Sequence, residues 1–348
     1  MKPTRAATSL LAAAIVVSTT AIPSDASDDV AAFYKGKTIS AAIGYPPGGG
    51  YDIYMRALAR HISRHIPGNP AVVTRNMPGA GSLVAANYLY NNAAKDGTVI
   101  GIFASSTLFS VKLGETNGKF EIDKFTWIGN MDQTIGTCVV HRRANVASFQ
   151  DLFARNVIFG ASGPTAVNNT HARGFNALLG TRIQVVNGYP SSTDVLLAMS
   201  RGEADGGCGF ALSSLKSTRR QDWDSGEIKA IIQTGFETSD ELKGIPHVYD
   251  YAKTEDDKKV MHLIYGTHAL GRPVSAPPGV PIDRIKALRD AFNTTMKDPM
   301  FLAEAAKLDL PIDPWTGDQT EKVIAQFTSY PLAIYNRARS VLEGVEAK

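Results

Sequence analysis

A glycine-rich segment, Tyr45-Pro-Pro-Gly-Gly-Gly-Tyr-Asp52, is the clearest candidate for chemistry in this sequence. The apolar run Thr38–Gly44 precedes it and predicts a strand, and residues 53–65 follow with apolar positions at a helical period. The segment therefore begins a predicted helix, where unpaired backbone N–H groups and the positive end of the helix dipole attract anions. Because glycine has no Cβ, a carboxylate or a phosphate could approach this backbone closely.

The glycine segment matches neither of two common phosphate-binding fingerprints. No Gly-Lys-Ser/Thr follows it, as a P-loop requires, and the G-x-G-x-x-G pattern of dinucleotide-binding folds is absent. The motif alone leaves a second interpretation open, a tight strand-to-helix turn that binds nothing. The carboxylate of Asp52 would repel an anionic ligand, so its backbone N–H is expected to matter more than its side chain.

Ser162, Thr165 and His171 invite a catalytic interpretation. A nucleophile elbow needs the pattern G-x-S-x-G, and in Gly160-Ala-Ser-Gly-Pro164 a proline stands where the second glycine belongs. His171 is expected on a helix, where a buried and hydrogen-bonded histidine is the commoner role. The sequence therefore predicts that the protein is not an enzyme, and a serine hydrolase is the disfavoured alternative.

His61 and His65 are four residues apart on one predicted helix, which is the spacing of a two-histidine metal site. No glutamate lies between them as in H-E-x-x-H, and Arg60 and Arg64 beside them disfavour a cation. We interpret this stretch as a solvated helix face. The prediction is no metal site and no cofactor.

The N-terminal segment has the features of a secretory signal peptide. Lys2 and Arg5 are positively charged, Ala6–Ala21 is a run of small and apolar residues, and Ser24-Asp25-Ala26 resembles a cleavage site. The apolar core is short for a membrane anchor. A cleavable peptide at 1–26 predicts a periplasmic protein.

Two cysteines, Cys138 and Cys208, are present in the chain. In an exported protein they could form one disulfide, or both could be buried free thiols, and the sequence leaves the two alternatives open. The formal charge of +3 is small and the basic residues form no stripe, so nucleic-acid binding is not predicted.

Strand-like and helix-like patterns alternate along the chain, which predicts an α/β protein with parallel sheets flanked by helices. The predicted strands are Thr38–Gly44, Ala71–Arg75, Thr98–Phe103, Val157–Ala161, Ile183–Asn187, Gly206–Phe210 and Ile228–Thr234. The predicted helices are 52–65, Leu83–Asn92, Asn168–Leu179, Thr193–Arg201 with Ser192 as N-cap, Pro281–Met296, Pro299–Leu308 and Asp318–Glu343. In such folds ligands bind at the carboxyl ends of the strands.

The length of 348 residues suits about two domains. The segment from Phe125 to His141 looks like a crossover into a second α/β unit, and Ile228–Thr234 could return the chain to the first. We therefore predict a discontinuous first lobe, 27–134 plus 236–348, and a second lobe, 135–235. Two lobes with two crossings imply a hinge and a ligand cleft between them.

Several short motifs, in this order along almost the whole mature chain, resemble one receptor family. They are Tyr45–Asp52, Asn76-Met-Pro-Gly-Ala-Gly81, Asp96-Gly97, Gly160-Ala-Ser-Gly163 with His171, Tyr189, Gly202-Glu-Ala-Asp205 and Ala276-Pro-Pro-Gly-Val-Pro281. The family is the extracytoplasmic (Bug-type) solute receptors of tripartite tricarboxylate transporters. The resemblance implies a two-lobed, type II periplasmic-binding-protein fold. It also implies a monomer that closes on a small organic carboxylate and delivers it to membrane permease subunits.

The resemblance also implies where the ligand binds. Backbone groups of the glycine loop are expected to hold the carboxylate, often through water, and loops of the second lobe are expected to close over its other end. The candidate ligand-binding residues are Tyr45, Gly48, Gly49, Gly50, Tyr51, Asp52, Ser105, Ser106, Ser162, Thr165, Tyr189, Ser191, Ser192 and Asp205.

The sequence departs from the family pattern at three places. Tyr51 stands where a small hydroxyl residue is common, Met77 replaces the usual arginine, and Pro190-Ser191-Ser192 replaces Lys-Gly-Gly. We expect Tyr51 to line the cleft and to favour a larger or partly apolar acid. The alternatives to a transport receptor are a sensor subunit for a membrane kinase, a receptor for a neutral or cationic solute, and the serine hydrolase.

Overall fold

The computed structural model of this protein describes Met1 and residues 26–163, 166–236 and 238–344. The predicted signal peptide lies, apart from its ends, outside the described residues. Within the described ranges, no helix combines the length and the apolar character needed to cross a bilayer.

Helices and strands alternate as the sequence predicts. The strands are β1 (Thr38–Ile43), β2 (Ala71–Asn76), β3 (Val99–Ile102), β4 (Thr126–Asn130), β5 (Gly136–His141), β6 (Val157–Ala161), β7 (Ile183–Asn187), β8 (Gly206–Ala211), β9 (Ile228–Thr234), β10 (Pro273–Ala276) and β11 (Trp315–Thr316). The helices are α1 (Ala26–Tyr34), α2 (Gly50–Ile62), α3 (Leu83–Asn91), α4 (Ser105–Ser110), α5 (Asp151–Ala154), α6 (Val167–Leu179), α7 (Ser192–Arg201), α8 (Leu212–Thr218), α9 (Arg220–Asp224), α10 (Glu255–Tyr265), α11 (Ile282–Thr295), α12 (Pro299–Lys307), α13 (Gly317–Thr328) and α14 (Leu332–Glu343).

The strands form two mixed sheets. The first has the order β11-β4-β10-β3-β1-β2, and β1 to β4 run in one direction while β10 and β11 run in the other. The second has the order β7-β6-β8-β5-β9, in which β5 alone runs against its neighbours. The predicted fold class is confirmed, and the predicted crossover is the connection from β4 in the first sheet to β5 in the second.

The central strands are buried because they are apolar on both faces. β3 and β10 are buried at every residue, as expected for strands covered by helices on two sides. Cys138 in β5 and Cys208 in β8 are fully buried and form a disulfide, which answers the question that the sequence left open.

Helices from the C-terminal part of the chain pack on the second sheet's helix α6. α10 and α14 contact each other and α6, and Tyr265 stacks on Phe175 with ring centroids 4.7 Å apart. The predicted boundaries give these helices to the first lobe. The boundaries at 134/135 and 235/236 stay a prediction.

Two local predictions are wrong. The helix predicted over 318–343 is two helices, α13 and α14, because Pro331 has no N–H for an intrahelical bond and its ring fits only the start of a helix. Ser191, rather than Ser192, caps α7, and its Oγ accepts from the Asp194 N–H at 3.3 Å.

Candidate functional site

The glycine turn connects β1 to α2 at the carboxyl edge of the first sheet. Gly49 is the N-cap of α2, and Gly48 has a φ of +86°, which favours glycine. Both are exposed, and a Cβ on Gly48 would meet nothing within 4 Å. The amides from Gly49 to Asp52 begin the helix and have no partner within it. The structure therefore presents an open helix start at the predicted place.

The Asp52 side chain caps this turn from inside. Its carboxylate accepts from the Gly48 N–H at 2.9 Å, from Arg56 Nε at 2.8 Å and from Asn76 Nδ2 at 2.8 Å, and it is buried. Burial alone would raise the pKa of Asp52, but these hydrogen bonds and the Arg56 charge lower it. The side chain thus holds the turn in place, although we expected the Asp52 backbone N–H to matter more for the ligand than the side chain.

Two tyrosines flank the helix start. The rings of Tyr45 and Tyr51 are stacked, with centroids 4.9 Å apart and planes 13° apart, and both are partly exposed. Burial raises the pKa of Tyr51, while the charge of Arg272 and hydrogen bonds with Ser105 act in the opposite direction. Ser105 is therefore beside the glycine turn, and Ser106 follows it in the first turn of α4.

Arg272 joins this group, although we did not predict it from the sequence. Its Cζ lies 4.8 Å from the Tyr51 ring centroid and 4.7 Å from that of Tyr54, so the guanidinium is between two aromatic faces. A Cβ on Gly50 would lie 2.9 Å from its Nη2. The residue immediately precedes β10, whose insertion between β3 and β4 brings it to this edge.

The second sheet has hydroxyl-bearing residues at its carboxyl edge. Ser162 follows β6, and its Oγ accepts from Asn168 Nδ2 at 3.0 Å. Tyr189 and Ser191 follow β7, and Ser192 begins α7. Ser191 and Ser192 are exposed, while Ser162 and Tyr189 are partly exposed.

Asp205 does not join these residues in the structure. Asp205 precedes β8, and its carboxylate accepts from the Ile158 N–H at 2.9 Å at the amino end of β6, opposite to Ser162. At this position the Asp205 carboxylate connects the start of β8 to the start of β6. Thr165 lies outside the described residues.

The histidines considered for chemistry are held by structural contacts. His171 is buried on α6, as predicted, with Nε2 3.1 Å from the Ile264 carbonyl oxygen. The solvated face predicted for the other pair is wrong, because His61 contacts Glu304 and His65 contacts Asp298 on or beside α12. Among the described side chains, no group of three His, Cys, Asp or Glu residues could hold a metal ion.

Two cavities in the described part of the chain are lined by residues of the connection from β4 to β5. The larger, of about 440 Å³, is lined by residues 132–135, by Leu212 and Ser213 after β8, and by residues 309–311. The smaller, of about 180 Å³, is lined by residues 133–135 with Phe236 and Asp313. Residues 45–52 line neither of these two cavities, and Gly48 and Gly49 are exposed.

The fold described above is found in solved solute-binding proteins. A TctC solute-binding protein from Polaromonas aligns with a TM-score of 0.66 at 15% identity, over 89% of this chain and 99% of that one. The periplasmic binding protein BugD aligns with a TM-score of 0.64 at 17% identity, over 90% and 99%. The predicted resemblance to the Bug-type receptors is confirmed.

A third solved structure is MatC from Rhodopseudomonas palustris with bound malate. Its TM-score is 0.63 at 16% identity, over 88% of this chain and 99% of that one. In sequence, the chain is 24% identical over 282 residues to a UPF0065 protein of Agrobacterium vitis, from the TAR-I ttuE-ttuC' intergenic region, covering 79% of this chain and 76% of that protein. No family model matches the chain. At these identities the solved structures establish the fold.

Proposed function

We propose that this protein is an extracytoplasmic receptor that captures a small organic carboxylate between its two lobes. The observation that carries the proposal is the open start of α2, where the exposed Gly48 and Gly49 leave main-chain amides accessible at the carboxyl edge of the first sheet. A helix start of this kind attracts a carboxylate through its amides and its dipole. MatC, which shares the fold, has malate bound, and this supports the ligand class.

The second sheet supplies the other half of the proposed site. Ser162, Tyr189 and Ser191 offer hydroxyl groups on loops that follow parallel strands. A ligand that contacts both halves stabilises the closed arrangement, because only a difference in affinity between two states shifts their equilibrium. Thr165 is proposed to belong to this half, and closure would report that the site is occupied.

Delivery to the permease subunits of a tripartite tricarboxylate-type transporter is the second part of the proposal. It rests on the resemblance to TctC and Bug-type proteins and on the sequence features of a signal peptide, which together favour a periplasmic monomer. The receptor would do no bond-breaking chemistry, since the contact of buried His171 with the Ile264 carbonyl oxygen favours a structural role.

A thermal-shift screen tests the ligand class. The mature protein is heated with malate, succinate, citrate, adipate, amino acids, sugars and amines. A true ligand at a hundred to a thousand times its Kd should stabilise the fold by about 3–4 kcal/mol, which raises the melting temperature by several degrees. Stabilisation by sugars or amines, with no response to any carboxylate, would contradict the proposal.

Permease delivery is tested separately. Growth on the identified carboxylate should require the receptor and the permease genes together. Capture of a membrane kinase by the liganded receptor, with normal uptake in its absence, would favour the sensor alternative instead.

A further inference from the structure

Arg272 is a buried cation at the proposed anion site. Only 6% of its surface is exposed, and its guanidinium lies between the rings of Tyr51 and Tyr54. Its Nη1 donates to the Gly271 carbonyl oxygen at 2.7 Å, while its Nε is buried without a hydrogen-bond partner among the described residues. A buried charge with an unpaired hydrogen-bond donor destabilises the folded protein unless an opposite charge or further hydrogen bonds compensate it.

Asp132, an acid that interacts electrostatically with Arg272, does not supply that compensation as a direct partner. Asp132 is also buried, but its carboxylate accepts from Thr134 Oγ1 at 2.8 Å, and within the described ranges Arg272 forms no ion pair at 4.0 Å or less. Burial raises the pKa of Asp132, and the Arg272 charge lowers it. The two groups therefore influence each other only at a distance.

The guanidinium is aimed at the start of α2. Its Nη2 would lie 2.9 Å from a Cβ on Gly50, so the missing side chain leaves the cation directly against the first turn of the helix. Tyr51, on the same turn, has the Arg272 charge and Ser105 as neighbours of its hydroxyl group. A cation, helix amides and a hydroxyl group thus converge on one small volume.

We propose that Arg272 is the charged residue that binds the carboxylate of the ligand, together with the main-chain amides at the start of α2. This inference rests on the proposed function and adds to it a side-chain determinant. The planar guanidinium can donate two parallel hydrogen bonds to one carboxylate, which gives both strength and orientation. The tyrosine faces exclude water from the pair and strengthen it electrostatically.

The proposal also predicts selectivity against neutral and cationic solutes. A ligand without a negative charge would gain no charge-assisted hydrogen bond from Arg272 and would leave the buried cation as uncompensated as it is in the ligand-free protein. A monoanionic end is sufficient for this contact, so the rest of the ligand is selected elsewhere in the cleft.

Calorimetric titration of Arg272→Gln tests the assignment, with malate as the first probe and the best carboxylate of the thermal-shift panel as the second. Affinity should fall roughly 10- to 150-fold, the value of a hydrogen bond to a charged group. Arg272→Lys should recover part of the loss, because it keeps the charge but not the planar fork. Circular dichroism checks that each variant is folded.

Arg284→Gln is the matched control. Arg284 also stacks on an aromatic ring, with its Cζ 3.6 Å from the Phe33 centroid, and its Nε is also buried without a partner among the described residues. It donates to the Asp96 carbonyl oxygen before β3, at the opposite edge of the first sheet. Its replacement should leave carboxylate affinity unchanged.

A stability measurement separates ligand binding from a structural role. If Arg272 serves the ligand, Arg272→Met should keep the melting temperature of the ligand-free protein within a few degrees of wild type, since an apolar group of similar length replaces an uncompensated charge. If Arg272 and Asp132 instead form a structural pair, Arg272→Met and Asp132→Asn should both lower it strongly.

The outcomes distinguish the two proposals. The assignment of Arg272 is overturned, and the receptor function stays intact, if Arg272→Gln binds the carboxylate with wild-type affinity. The same holds if Arg272→Met and Asp132→Asn are both strongly destabilised while carboxylate binding is unchanged. A wild-type protein that binds no carboxylate overturns the function and the assignment together. Loss of binding in Arg272→Gln with full binding in Arg284→Gln supports both.

Discussion

The carboxyl edges of the two sheets differ in how they are built. The edge of the first sheet is preorganised: Asp52 caps the glycine turn, Tyr45 stacks on Tyr51, and Arg272 is fixed between two rings. The edge of the second sheet is exposed and carries hydroxyl groups such as Ser191 and Ser192. The difference suggests that the first edge binds the charged end of the ligand and that the second edge adapts to the remainder of the ligand.

Removal of the disulfide should have the largest effect, and it should act on the second sheet. Cys138 and Cys208 are 70 residues apart in the sequence, so the bond constrains a long loop of the unfolded chain. The Cys138→Ala/Cys208→Ala double variant should lose about 2–4 kcal/mol of unfolding free energy in urea denaturation.

A folded sample of this double variant should still bind the carboxylate with near-native affinity, because the first edge is unchanged. The wild-type protein treated with a reductant provides the control. A midpoint equal to that of the wild type would show that the bond contributes nothing to stability.

Gly50→Ala should have the next largest effect, on affinity at the first edge. The new Cβ would lie 2.9 Å from Arg272 Nη2, so the guanidinium must move, and affinity should fall roughly 10- to 100-fold, as for overpacked sites. Calorimetric titration measures the change. Gly163→Ala is the matched control on the second edge, because its Cβ meets nothing within 4 Å. Equal losses in the two variants would contradict the difference between the edges.

Tyr51→Thr should change preference more than overall affinity. The Tyr51 ring forms an apolar wall between Tyr45 and Arg272. Its loss should reduce the preference for adipate over malate by roughly tenfold, because contacts with a few methylene groups contribute about that much to discrimination. Tyr51→Phe keeps the wall and should keep the preference. If Tyr51→Thr binds the two acids in the wild-type ratio, Tyr51 has no part in selectivity.

Ser191→Ala should have the smallest effect, a small loss of stability with at most a few-fold loss of affinity. The Ser191 hydroxyl caps α7 by accepting from the Asp194 N–H, and loss of such a cap costs about 1 kcal/mol. Thermal denaturation measures this cost, with Ser191→Thr as a conservative control. A loss of affinity beyond a few fold would show that the second edge binds the ligand more specifically than we propose.

The sequence predicts well what local chemistry determines. β6, β7 and β9 have the predicted bounds, because apolar runs between glycine, proline and polar turns leave little choice of structure. The glycine turn and its helix follow from the same signals. The long C-terminal helix was mispredicted because the helical period of its two halves masked the effect of Pro331.

The site was less predictable because its members are distant in the sequence. Arg272 reaches the glycine turn only through the insertion of β10 between β3 and β4, a pairing that no local pattern announces. The sequence offers one weak signal that Arg272 belongs to the site. This arginine lies between Gly271 and Pro273, at the start of a buried strand. Asp205 was included by motif alone, and tertiary structure places it at the other end of its strand.

The position of β10 in the chain has a consequence for synthesis and for engineering. The glycine turn is translated within the first 52 residues. Arg272, which lies beside it, is added only after the whole second sheet has been translated. A nascent or truncated chain that ends before residue 272 would carry the turn without its cation. Split reporters should therefore keep residues 45–52 and 271–276 on the same fragment.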